Sequence, residues 1–86
     1  MYLIRNIKVI DGTGKFLIPG LIDSHVHILG GGGEGGPKTR TPEITLTDIT
    51  TGGVTTVCGL LGTDGTTRTM TNLVAKAKGL QDEGIS

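Results

Sequence analysis

Two histidines one residue apart, His25 and His27, close an apolar run in the stretch LIDSHVHILGGGGEGGP, residues 21–37. Side chains alternate along an extended chain, so Asp23, His25 and His27 share one face, with the imidazoles about 6–7 Å apart. Two neutral imidazoles so placed can converge on one metal ion. The same spacing also suits a plain pair of strand histidines, one buried and hydrogen-bonded, the other exposed. Beyond them runs a glycine tract, Gly30 to Gly36, interrupted by a single charged residue, Glu34. A glycine tract is ordinarily a flexible linker. This one is no phosphate loop, because no Gly-Lys-Ser/Thr follows it. Just past candidate ligands it has another use: glycines let backbone N–H and C=O groups approach a small substrate closely. A linker does not need a lone acid at a fixed place, which favours the substrate-facing reading.

The elements that must position these residues follow from pattern and punctuation. Residues 2–10, YLIRNIKVI, read as a strand, DGTG (11–14) as a turn, and KFLI (15–18) as a second short strand. After Pro19-Gly20, LIDSHVHIL (21–29) has the length and apolarity of a strand buried on both faces. Thr41-Pro42-Glu43 has the form of a helix start, which predicts a helix over PEITLTDITT (42–51) that ends at Gly52-Gly53. VTTVCGLL (54–61) predicts another buried strand, and Cys58 within it a small buried hydrophobe. From Thr67 to Glu83, Met70, Leu73, Val74, Ala77 and Leu80 recur at helical spacing as a core-facing stripe, with Lys76 and Lys78 on a solvated face. Gly84 caps that helix, and Ile85-Ser86 reads as the first step of a third strand. Strands alternating with helices imply a parallel sheet. The histidine pair then lies at the C-terminal end of a parallel strand, where (β/α) barrels carry their active sites.

Bulk properties narrow the function classes. The chain has 86 residues, only 35% of them hydrophobic, with 16 Gly, one Phe, one Tyr and no Trp. So few large side chains leave a marginal core, and two βα units cannot close a sheet; a fragment of a larger fold is expected. Net charge is zero and no basic cluster appears, which argues against a nucleic-acid partner. No apolar stretch has the roughly 20 residues of a membrane span. Met1–Gly12 is too polar for a signal peptide. One cysteine excludes an intramolecular disulfide, and a cytoplasmic protein is the expectation.

The stretch PGLIDSHVHI resembles the first barrel strand of the metal-dependent amidohydrolase superfamily, and IDGTGKFLIPG the lead-in from that superfamily's small β-domain. GGGGEGGPKTRTPE, GVTTVCGLLGTD and EGIS are similar to the isoaspartyl dipeptidase branch. The resemblance implies an α/β fold: the first two βα units of a (β/α)8 TIM barrel (residues 19–86), preceded by the end of a small β-sandwich domain (residues 1–18). It implies that His25 and His27 bind one zinc of a binuclear centre. It also implies that Gly32, Gly33, Glu34 and Thr63 contact a β-aspartyl dipeptide substrate. Asp23 belongs to the signature without being a ligand. For Arg40 a salt bridge fixing the loop and a substrate contact both remain open. The bridging carboxylated lysine, two further histidines and the catalytic aspartate of that family come from later strands, so no catalytic residue is expected within this chain. An intact member would be a homo-oligomeric hydrolase. The rival readings are a cyclic amidase of the dihydroorotase or hydantoinase kind, expected to lack the Gly-Gly-Glu loop, and a non-catalytic scaffold, expected to lose metal ligands.

Overall fold

The computed structural model describes residues 8–86, and within them two βα units share one parallel sheet. Strand β1 is Leu21–Val26, helix α1 Leu46–Thr51, strand β2 Val54–Gly59 and helix α2 Met70–Asp82, with a short 3-10 turn at Pro37–Thr39. β1 pairs with β2 from Leu21↔Val54 to Val26↔Gly59, with irregularities in register between Leu21 and Ile22 and between Asp23 and Val26. The chain end extends the sheet on the other side of β2. Ser86 N–H donates to the Thr55 carbonyl (3.0 Å) and its own carbonyl accepts from Val57 N–H (2.9 Å). These two bonds have the pattern expected of a third strand, although Ile85 and Ser86 are not themselves in a strand and the sheet has two.

The core sits where both helices meet the sheet: Ile28, Leu29, Ile49, Leu73, Leu80 and Ile85 are buried, with Val26, Ile44, Leu46, Val54, Val57 and Leu61 packed on them. α2 ends in a Schellman motif through Gly84, with Ile85 N–H on the Leu80 carbonyl (2.9 Å) and Gly84 N–H on the Gln81 carbonyl (3.0 Å). This turns the chain from helix into sheet while keeping Leu80 and Ile85 in the core.

Several elements depart from expectation. Of the strand over 2–10, residues 2–7 lie outside the described residues, and Lys8–Ile10 are not in a strand. KFLI is not a strand either: Phe16 is 97% and Leu17 100% exposed, and no described segment pairs with them. The intervening turn does form, closed by Lys15 N–H on the Gly12 carbonyl and by the Asp11 carboxylate accepting from Thr13. β1 stops at Val26 rather than Leu29, because the chain folds back there: Ile28 N–H reaches the Val26 carbonyl and Gly30 N–H the His27 carbonyl. β2 likewise stops at Gly59 rather than Leu61.

α1 begins at Leu46, not Pro42. The backbone ahead of it is already engaged, since Thr41 N–H donates to the Gly31 carbonyl (2.9 Å) and Ile44 N–H to the Ile28 carbonyl (3.3 Å). Thr45 and Asp48 cap the helix reciprocally instead. α2 starts at Met70 behind a Thr69 cap, and only Leu73 and Leu80 of the predicted stripe are buried; Met70, Val74 and Ala77 are exposed. Cys58 is exposed as well, on a stretch of sheet that no described residue covers. Lys76 is not on a solvated face: half-buried, it reaches back to Glu43 (3.5 Å) and ties α2 to the segment before α1.

Candidate active site

Both loops that leave the C-terminal ends of the strands gather on one side of the sheet. His25 lies within β1 and His27 just past its end, and their rings stand edge to face with centroids 5.1 Å apart. They line one open cleft of about 530 Å3 together with Gly30, Gly31, Gly32 and Thr41. His27 Nδ1 lies 3.2 Å from the Leu60 carbonyl. A carbonyl only accepts, so this contact requires the proton on Nδ1, and in the neutral ring it is Nε2 that carries the lone pair through which an imidazole binds a metal. Asp23 is exposed and accepts from the His25 N–H (3.1 Å), a local backbone brace. Among the described residues no group of three or more His, Cys, Asp or Glu could hold a metal ion. The donors present, two imidazoles with at least one presented as a ligand, fit part of a zinc shell and need ligands from elsewhere to complete it.

The glycine loop is a built structure rather than a slack one. Gly32 pairs with Arg40 in an isolated antiparallel bridge, and a Cβ at Gly32 (φ +74°) would lie 2.3 Å from the Thr39 carbonyl oxygen. Only glycine allows the two strands of the loop to lie so close. At the tip, Thr63 Oγ1 donates to Glu34 Oε1 over 2.6 Å, so the loop after β1 and the loop after β2 meet. Gly33 and Thr63 line a second hollow of about 250 Å3 with Pro37, Arg40 and Asp64. The Glu34 carboxyl is held below its ordinary value, mainly by the Thr63 hydroxyl, then by its own backbone N–H, with His27 charge adding to the effect.

Asp64 anchors the second loop. Its carboxylate accepts from the Thr67 hydroxyl and from the Thr66 and Thr67 N–H groups, and it pairs with Arg40 at 3.5 Å. These contacts, the Thr67 hydroxyl foremost, hold its pKa at about 2. Arg40 thus forms a salt bridge that fixes the loop. Thr41 is no helix cap: its hydroxyl accepts from Gly31 N–H (2.7 Å) and lies 3.2 Å from the Gly31 carbonyl.

One residue at the site escaped the sequence reading. Arg68, 8% exposed, donates to the carbonyls of Gly30 (3.0 Å), Gly31 (3.1 Å) and Thr41 (2.6 Å). The available signal was slight, a single Arg in the threonine-rich run TTRTMT.

No family model matches the chain. Among curated proteins it is similar to the dihydroorotase of Bacillus cytotoxicus, 41% identical over 59 residues, which cover 69% of this chain and 13% of that protein. The dihydroorotase of Bacillus thuringiensis gives 41% over 58 residues, 67% of this chain and 13% of the relative. Among solved structures, two of a β-aspartyl dipeptidase from the thermophilic, keratin-degrading Fervidobacterium islandicum AW-1 are each 65% identical and cover 79% of this chain and 18% of theirs. Their TM-scores are 0.75 for the complex with a β-Asp-Leu dipeptide and 0.76 for the other. The chain therefore spans less than a fifth of the length of the proteins it matches. Identity of 65% on a shared backbone outweighs the shorter and weaker likeness to dihydroorotases, and the chain belongs to the isoaspartyl dipeptidase family of the amidohydrolase superfamily.

Proposed function

We propose that this chain is part of a zinc-dependent isoaspartyl dipeptidase, which hydrolyses the isopeptide bond of β-aspartyl dipeptides. The observation that carries the reading is its 65% identity to an enzyme solved with a β-Asp-Leu dipeptide bound. Residues 19–86 form the first two βα units of a (β/α)8 barrel, and residues 1–18 the end of a small β-sandwich domain. On this reading the whole protein is a cytoplasmic homo-oligomer with a binuclear zinc site.

His25 and His27 would hold one zinc, which would supply Lewis acidity toward the scissile carbonyl. The His27–Leu60 contact orients that ring and keeps its Nε2 available. Glu34 meets the free α-ammonium of the aspartyl residue, which in the β-linkage lies one carbon farther from the scissile carbonyl than in an ordinary dipeptide. Its low pKa keeps it ionised for that contact. Thr63 fixes the carboxylate through their hydrogen bond, and the backbone of Gly32 and Gly33 borders the bound substrate. General acid–base chemistry comes from residues outside this chain.

The test is turnover by the intact protein carrying this chain, with β-Asp-Leu and dihydroorotate as alternative substrates, each with and without chelator. Chelator-sensitive cleavage of β-Asp-Leu is expected. Turnover of dihydroorotate alone would assign the protein to the cyclic amidases instead.

A further inference from the structure

We propose that Arg68 is a positioning residue for the substrate contact at Glu34: its guanidinium fixes the root of the glycine loop and so sets where the loop presents that carboxylate. The inference rests on the reading of Glu34 given above. Arg68 is the one buried charged side chain among the described residues, and no described carboxylate lies within ion-pair distance of it. A buried cation without an acid partner is costly unless its donors are met. Here the partners are three backbone carbonyls, those of Gly30, Gly31 and Thr41. Arg68 therefore spends its charge on fixing backbone, and the backbone it fixes is the root of the loop.

The packing there leaves little room for adjustment. A Cβ on Gly30 (φ +91°) would lie 2.3 Å from the Thr41 oxygen and 2.9 Å from Arg68 Nη2. Gly31 is gripped a second time by the Thr41 hydroxyl. Gly62, from the loop after β2, is packed against the same place, where a Cβ would lie 3.3 Å from Gly31 Cα and 3.4 Å from the Gly30 oxygen. The root is thus rigid on both sides, and the tip three residues on is closed by Glu34 and Thr63. A lysine cannot replace the fork, because a single ammonium cannot meet three carbonyls held in a guanidinium's geometry.

The experiment is a double-mutant cycle in the intact, zinc-loaded protein, with β-Asp-Leu as substrate. Arg68→Met should lower kcat/KM about 100-fold, the scale of a misplacement near 1 Å. In a Glu34→Gln background the same change should cost less than about 3-fold, because the group being positioned is already gone. Arg68→Lys supplies the same comparison where the methionine variant does not fold. Amide hydrogen exchange of residues 30–36, read without turnover, should rise in either Arg68 variant. A residue that only stabilises the fold would give equal losses in both backgrounds. Additive losses beside an impaired Glu34→Gln overturn the proposal alone. A fully active Glu34→Gln overturns the reading of Glu34 and this proposal with it.

Discussion

Thr63 Oγ1 and Glu34 Oε1 lie 2.6 Å apart, 29 residues distant in sequence, and their hydrogen bond joins the loops that leave the two parallel strands. A parallel sheet delivers consecutive strands with the same polarity, so both loops emerge on one side. Glycines at the first loop and a short threonine at the second let them meet without a bulky side chain between them. The geometry fixes a carboxylate within electrostatic reach of His27, held by a partner from the other loop.

That bond determines how Glu34 titrates. The Thr63 hydroxyl stabilises the ionised carboxylate and is the largest cause of its lowered pKa. Thr63→Val keeps the shape and removes the donor, so the midpoint should move up toward the ordinary value of 4.5. Because the folded pKa is depressed, the contact's contribution to stability is complete above the ordinary value and fades as pH falls through the lowered one. NMR titration of the labelled Glu34 carboxyl reads this directly. An unmoved midpoint would mean that the contact does not form in solution.

Asp64 makes the same argument for the second loop at lower pH. Its carboxyl is depressed from 3.8 to about 2, first by the Thr67 hydroxyl and then by the Thr67 N–H. The turn it organises should therefore be fully formed above pH about 4, the ordinary aspartate value, and be lost only as pH falls through about 2. Asp64→Asn should loosen the turn at any pH where the carboxylate is ionised and free Arg40, its ion-pair partner. The Thr66 and Thr67 amide resonances, followed from pH 6 to pH 2, test both statements. Their indifference to the substitution would remove Asp64 from its anchoring role.

The sequence revealed what depends on local pattern. Alternation and apolar runs located β1 and β2, and the punctuation at Gly52-Gly53 and Gly84 ended both helices where they end. Thr41-Pro42-Glu43 misled because it has the residue types of a helix start, while the backbone N–H groups of Thr41 and Ile44 are drawn to Gly31 and Ile28 across the fold. Cys58, Met70, Val74 and Ala77 carry an apolar pattern that signals burial, but burial needs a neighbouring surface, and no described residue supplies one. Arg68 was illegible for a different reason. Its partners are backbone carbonyls, a group every residue has, so no spacing of side-chain types announces it.

The cap of α1 is open to a stability measurement. Thr45 N–H donates to Asp48 Oδ2 (3.0 Å) and Asp48 N–H to Thr45 Oγ1 (3.3 Å), satisfying two donors at the start of a six-residue helix. So short a helix has little stability of its own and depends on its cap and on Ile49, which is 3% exposed in the core. Thr45→Ala should cost about 1 kcal/mol, and Thr45→Ser should restore most of it. Hydrogen exchange at Ile49 should then quicken about 5-fold in the alanine variant and little in the serine one. Equal exchange in all three proteins would show that packing alone holds α1.

Glu34→Gln tests the functional reading most directly. A β-aspartyl dipeptide carries a free α-carboxylate on its first residue, which an ordinary dipeptide lacks there, and its α-ammonium lies one carbon farther from the scissile carbonyl. In the proposed function an anion placed to meet that ammonium at its shifted position favours the β-linkage, and Glu34 is the acid on the glycine loop, fixed by Thr63 and influenced by His27. The amide keeps the size and can still accept from the Thr63 hydroxyl, so the loop should hold its shape while the charge is lost. A charge-assisted contact of this kind is worth about 1.5–3 kcal/mol, which corresponds to a fall of about 10- to 150-fold in kcat/KM for β-Asp-Leu in the intact protein. Zinc content should be unchanged, because the carboxylate is not counted among the ligands. Steady-state kinetics and metal analysis on one preparation separate the outcomes. Unchanged kinetics would make Glu34 a surface residue of the loop, and lost zinc would make it part of the metal site.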